Sequence, residues 1–190
     1  MPDPFSMDLT GTLLVAMPGM GDTRFDRSVI FICAHEADGA MGLIVNKPAA
    51  DITLHGLMEQ LDITADQDRA DVQVHVGGPV ETSRGFVLHG PDYTSRLKTL
   101  KVGEAFGMTA TVDVLEDIAG GQGPEDRLIM LGYAGWGPGQ LEGEIAANGW
   151  LTVEADPALV FGGDDDGKWA AALAALGIDP LGLSGMAGRA

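Results

Sequence analysis

Ser28-Val-Ile-Phe-Ile-Cys-Ala-His35, then Glu36-Ala-Asp38-Gly39, then Gly42-Leu-Ile-Val-Asn46-Lys47 ended by Pro48, is the stretch on which the fold turns. The first run is apolar at every position from Val29 to Ala34, so it reads as a strand buried on both faces, inside a sheet. Asp-Gly between two apolar runs is a hairpin signal, and the two strands are predicted to pair antiparallel.

Working outward, residues 9–17 read as a buried strand that stops at Pro18-Gly19-Met20-Gly21. Thr53 is placed to cap a short helix over 54–61, whose Leu54, Leu57, Met58 and Leu61 share one face. The polar stretch 62–71 reads as an exposed loop. Residues 72–76 form a strand running into Gly77-Gly78-Pro79, with 85–89 as its expected neighbour, and 98–108 hold one or two short strands. Thr111 is positioned to cap a helix over 112–119 that Gly120 stops. Residues 128–131 read as a buried strand leading into the glycine-rich segment Gly132-Tyr-Ala-Gly-Trp-Gly-Pro-Gly139, expected to be a turn. A helix over 140–148, a strand over 150–154 and a final helix over 169–176 complete the chain. Strands cluster early and helices enter singly and later, which fits α+β better than a regular βαβ alternation. No repeat or linker tract divides the chain. Residues 1–8 are expected to be a flexible N-terminus and 9–190 a single domain.

With 11 Lys and Arg against 28 Asp and Glu, the formal charge is −17. Such a surface repels phosphate backbones and anionic lipid, so non-specific binding to DNA or membranes is disfavoured. Cys33 is the only cysteine, which excludes an intrachain disulfide, a Cys-x-x-Cys redox pair and a multi-cysteine zinc site. The N-terminus lacks the basic start and apolar core of a signal peptide, and no apolar run nears the ~20 residues of a membrane span. The cytoplasm is the expected compartment.

Several catalytic signatures nearly match. Gly162-Gly-Asp-Asp-Asp-Gly167-Lys168 has phosphate-loop spacing, but Trp169 stands where a hydroxyl would hold magnesium, and three aspartates would repel the phosphates. As a calcium loop the same segment puts Gly162 and Leu173 at ligand positions, so it reads as a solvated acidic loop. His35-Glu36 begins like a zinc-protease motif, but Gly39 replaces the second histidine. Gly182-Leu-Ser184-Gly185 lacks the spacing of a nucleophile elbow, and Gly19-Met20-Gly21 has no third glycine at Arg24 for a dinucleotide loop. Cys33, expected to share a strand face with His35, reads as core filler. His35 and His89 are the candidates for acid–base work, with Asn46 or Arg84 positioning a polar substrate. The two glycine segments let a backbone or ligand approach closely, and Tyr133 and Trp136 are fit to wall a pocket.

Taken together, Leu13-Leu-Val-Ala-Met-Pro-Gly-Met20, His35, Gly39-Ala-Met-Gly42, Asn46-Lys47-Pro48, Gly77-Gly-Pro-Val80, Gly85-Phe-Val-Leu-His89 and Gly132-Tyr-Ala-Gly-Trp136 resemble the AlgH/YqgE family of bacterial proteins. Gln140-Leu-Glu142, Glu144-Ile145, Asn148 and Trp150-Leu-Thr152 extend the likeness over nearly the whole chain. The family typically ends in Gly-His-Ala, whereas this chain ends Gly188-Arg189-Ala190, so any role of that histidine is absent here. The resemblance implies a bifurcated, partly barrel-like mixed sheet surrounded by helices. It supplies no mechanism, and although members are described as transcriptional regulators, the charge and the lack of a basic recognition helix speak against direct DNA binding. The expected function is therefore a non-catalytic binding or regulatory protein with a small-molecule or protein partner and no cofactor. The alternatives are an enzyme of open class, hydrolysis being one option, using His35 or His89, and a direct transcriptional regulator. The candidate binding set is His35, Asn46, Lys47, Gly77, Gly78, Arg84, His89, Tyr133 and Trp136, with no catalytic or metal set assigned.

Overall fold

The Asp38-Gly39 turn stands where the sequence puts it, joining β2 (Val29–Glu36) to β3 (Gly39–Ile44) as an antiparallel pair. The computed structural model describes residues 7–18, 22–64 and 71–181. β1 (Thr12–Ala16) lies on the far side of β2 and also pairs β10 (Trp150–Glu154). Between β3 and β10 come β4 (Pro48–Thr53), α1 (Leu54–Gln60), β5 (Gln73–Val76), β6 (Val80–His89), β7 (Leu100–Val102) and β8 (Phe106–Thr109). They are followed by α2 (Asp113–Ala119), β9 (Arg127–Trp136) and α3 (Gln140–Ala146); α4 (Pro157–Val160) and α5 (Asp165–Ala175) come after β10. The sheet order is β10-β1-β2-β3-β9-β6-β8-β7, with β4 and β5 off this path.

β9 is where the sheet branches. β6 runs antiparallel along one edge; on the other, β3 holds Ala134–Trp136 and β5 pairs in parallel with Met130 and Leu131. Side chains alternate along each strand, so the sheet carries core on both faces. Leu13, Val15, Phe31, Leu43, Leu88 and Met130 meet Trp169, Ala172 and Leu173 of α5 on one face. On the other, Leu14, Ile30, Ile32 and Ile44 pack with Trp150 and with Leu141 of α3. Val87 and Ile129 lie under α1 and α2, against Met58, Val114 and Leu115. The architecture is α+β: one curled, largely antiparallel half-barrel sheet in a single domain, with five α-helices among the described residues. Among the described residues no helix is long and apolar enough to cross a membrane.

Local signals explain several ends. Thr53 caps α1 by accepting from the Gly56 amide, and Asp156 caps α4 through Ala158. Thr111 does not cap α2; its hydroxyl instead donates to the carboxylate of Asp113, and Val112 precedes the helix without a side-chain cap.

Other expectations are corrected. Gly132-Tyr-Ala-Gly-Trp136 is no turn but the second half of β9, because Gly132 absorbs the irregularity at φ +77° and the strand runs on. β6 is not the neighbour of β5; β9, arriving from later in the chain, separates them. Residues 48–53 form β4 instead of merely ending β3, since Pro48 opens a strand that pairs β5. Cys33 and His35 do not share a face. The β2–β3 register slips between Ile32 and Ala34: Cys33 keeps the face of Phe31, toward the α5 core, and the extra residue turns His35 to the other face, toward α3. α5 starts at Asp165, four residues before the expected start. Gly19-Met20-Gly21, the Gly182–Gly185 segment, the Gly188–Ala190 terminus, residues 1–6 and part of the 62–71 loop lie outside the described residues.

Candidate functional site

The β2–β3 hairpin and the β6–β8 pair lean against β9 from opposite edges, and between them lies an open groove of about 640 Å³. Its buried floor includes Phe86 and Met108, with Met41 and Tyr133 half-buried beside them. Trp136 and Ala40 form part of its wall, and the exposed side chains of Glu36, Asp38 and Arg84 form its rim. Three candidates from the sequence, Arg84, Tyr133 and Trp136, thus converge. Phe86 meets Tyr133 edge-on at 5.9 Å between ring centroids, and the Arg84 guanidinium lies 5.2 Å over the Phe86 ring. Arg84 reaches Glu81 at 3.5 Å but is half exposed, so this pair leaves its charge largely to solvent. Trp136 donates its indole N–H to Glu144 at 3.1 Å, and burial raises the Glu144 carboxyl above its ordinary range.

The other polar candidates are occupied elsewhere. His35 Nδ1 accepts from the Leu9 amide at 3.1 Å, which puts the proton on Nε2, where it is donated to Glu142 at 2.5 Å. A hydrogen bond from its own backbone amide and the one from His35 hold Glu142 low. His89 is fully buried: Nδ1–H donates to the Gly90 carbonyl at 2.8 Å, and Nε2 accepts from Thr109 at 2.9 Å. Burial pushes its pKa down. Asn46 accepts from the Val29 amide and donates to the Arg27 carbonyl, both at 2.9 Å, stitching the end of β3 to the start of β2. Lys47 donates to the Asp26 carbonyl at 2.5 Å. His35, His89 and Asn46 therefore do not meet Arg84 in one cleft. Burial raises the Cys33 thiol to about 12, which keeps it protonated and inert.

Gly77 and Gly78 serve the branch point. The Gly77 amide donates to Leu131 O at 2.7 Å and its carbonyl accepts from the Ile44 amide at 2.8 Å, tying β3 to β9. A Cβ on Gly77 would run into the Gly132 carbonyl, and one on Gly78 into the Tyr133 backbone. This close approach is between two segments of the chain, not between chain and ligand.

The acidic segment also departs from expectation. Asp164 caps α5 through the Gly167 amide, and Asp165 turns inward instead of standing in solvent. It accepts from His75 Nε2 at 2.8 Å and from Lys168 Nζ at 3.0 Å, while Lys168, 3% exposed, also donates to the Val45 carbonyl at 2.9 Å. The available signal was Lys168 beside Trp169, Ala172 and Leu173 on the apolar stripe of the helix, where a solvated lysine does not belong. A second buried network surrounds Asp113. Burial opposes its ionisation, but hydrogen bonds from Ser95, Thr111 and the Arg96 amide outweigh that and hold its carboxyl below the usual range. Both networks pin loops and helix starts to the sheet.

The AlgH-like family model matches residues 13–181. A UPF0301 protein of Ruegeria pomeroyi is 63% identical over 185 residues, covering 97% of this chain and 100% of that one. Another, from Cereibacter sphaeroides, is 58% identical over 184 residues, with 97% and 100% covered. The solution structure of the AlgH protein from Pseudomonas aeruginosa matches with a TM-score of 0.79 at 42% identity, over 100% of this chain and 98% of that one. A crystal structure of a Corynebacterium diphtheriae protein matches with a TM-score of 0.66 over 85% and 83% of the two chains; at 22% identity the likeness is one of fold alone.

Proposed function

This chain belongs to the AlgH-like family, and from that premise we propose that it is a non-catalytic binding or regulatory protein whose partner seats in the groove walled by Arg84, Tyr133 and Trp136. The observation that carries this reading is a division of labour. The histidines fit for proton transfer have both ring nitrogens bonded within the fold, whereas an aromatic, a cation and two methionines face open space. An apolar concavity with a few convergent polar groups is the usual form of a binding site. Regulation in this reading passes through a bound small molecule or protein, since a charge of −17 repels nucleic acid, and the cytoplasm is its proposed compartment.

A thermal-shift screen against metals, nucleotides and common metabolites tests it. A ligand at 100 times its Kd adds about 2.7 kcal/mol, or roughly 5–11 °C in a chain of this size. The shift should shrink in Arg84→Ala and Tyr133→Ala. A ligand whose shift survives both substitutions would remove the groove from consideration.

A further inference from the structure

We infer that the groove is one half of a larger site, in which an extended, apolar segment of a partner protein with a basic flank lies along β6 beyond the end of β8 and sends alternate side chains into the groove and into a second hollow on the other face of the sheet. This rests on the groove-binding reading and names the class of its partner.

The second hollow, of about 200 Å³, lies under α1 and α2 and is walled mainly by Leu57, Leu115, Ile129 and Leu131. At its mouth Leu61 and Val112 are unusually exposed for their size, at 43% and 48%. β6 lies between the two concavities and divides its side chains by parity. Val80, Arg84 and Phe86 line the groove, while Ser83, Gly85 and Val87 line the hollow. Phe86 and Ala110 belong to both walls, so the two spaces meet there.

They meet where a strand stops. β8 pairs β6 only as far as Thr109 opposite Val87, and the chain then leaves through Ala110 for α2. Among the described residues nothing pairs with β6 from Phe86 back to Val80 on that side. Toward β9, Val80 pairs Tyr133 and the next pair is Gly85 with Leu131, so Glu81–Arg84 form a bulge whose backbone has no register partner on β9. An extended segment on this line would continue the β8 row, and its period of two would feed successive side chains to opposite concavities. A compact small molecule fills one of them; a run of apolar residues fills both. Met41 and Met108 give the groove a wall that adapts to different side chains.

Charge selects the flank. Glu36 and Asp38 stand on the groove rim and Glu81 beside Arg84, three carboxylates to one cation, within a chain of net charge −17. A Lys or Arg next to the apolar run complements this rim, and an acidic flank is repelled.

The test is a dodecapeptide display library panned on the whole protein, with the selected peptides measured by fluorescence anisotropy against two variants. Gly135→Leu fills the groove, where a Cβ meets only the Tyr133 ring at 3.5 Å; Gly85→Leu fills the hollow, where the nearest atom is on Leu131 at 4.0 Å. Neither glycine has a positive φ, so both substitutions suit the backbone. Selected peptides should share consecutive apolar residues with a basic neighbour, and each variant should weaken binding at least ten-fold. If either variant does not fold, Val80→Arg and Ser83→Trp, at exposed positions, probe the same two walls. A loss with Gly135→Leu alone confines the ligand to the groove and overturns this inference while leaving groove binding intact. Insensitivity to both variants overturns the two readings together, and a library that yields no binder overturns the peptide partner.

Discussion

Arg84 and Lys168 are both cations beside a carboxylate, and their circumstances are opposite. Lys168 is buried at 3.0 Å from Asp165 and 2.9 Å from the Val45 carbonyl, with His75 on the other oxygen of the same carboxylate. Arg84 is half exposed, 3.5 Å from Glu81, and lies over an aromatic ring at the rim of a groove. The first arrangement spends its charges on holding α5 against β5 and the end of β3. The second leaves hydrogen-bonding capacity unspent, and that is the state in which a side chain remains free to meet a partner. In this molecule the polar residues that look most chemical in the sequence are the most occupied.

Breaking the buried set should have the largest effect. Lys168→Ala leaves Asp165 without its lysine partner in a mostly buried site, and should cost ~3–5 kcal/mol in urea denaturation. A loss below ~1 kcal/mol would mean that the cluster is solvated and the contrast with Arg84 false. Next comes the branch point: Gly78→Ala drives a methyl into the Tyr133 backbone and should cost ~1–3 kcal/mol or more by the same measurement.

A smaller effect is expected from pH. The pKa of His89 is lowered by burial from an ordinary 6.5, so below about pH 6.5 the unfolded chain takes up a proton that the folded chain refuses. Stability from this residue is therefore complete above pH 6.5 and falls as pH drops toward the depressed folded value, by at most ~1.4 kcal/mol per pH unit. His89→Gln should flatten that slope. The carboxylates held low, Asp113 and Glu142 among them, lose their contribution only in more acid solution, below their ordinary values of 3.8 and 4.5. The smallest change belongs to Arg84→Ala, which should alter stability by no more than ~0.5 kcal/mol once solvent screening is allowed for.

Much of the fold was legible because its signals are local. The Asp38-Gly39 hairpin, the Thr53 cap and the strand at Trp150–Glu154 each depend on residues adjacent in the chain. What stayed hidden depends on distant partners. Gly132 looks like a turn until the Gly77-Gly78 backbone that crosses it is known, and the bulge at Cys33 has no mark in an unbroken apolar run. The candidate site divides the same way. Tyr133 and Trp136 suggested a pocket wall from their chemistry and do line the groove, but its floor of Met41, Phe86 and Met108 comes from three strands that only the branched sheet gathers. His75 lies 90 residues from Asp165 in sequence and meets it, beside Lys168, at the start of α5.

The most direct measurement is a calorimetric titration of the strongest ligand from the thermal-shift and peptide screens against wild type, Tyr133→Ala and His35→Gln. If the groove is the binding site and His35 a structural residue, Tyr133→Ala weakens binding at least ten-fold and His35→Gln leaves the affinity within two-fold. Binding that survives Tyr133→Ala but is lost with His35→Gln would contradict the division between occupied and free polar groups on which the proposed function stands.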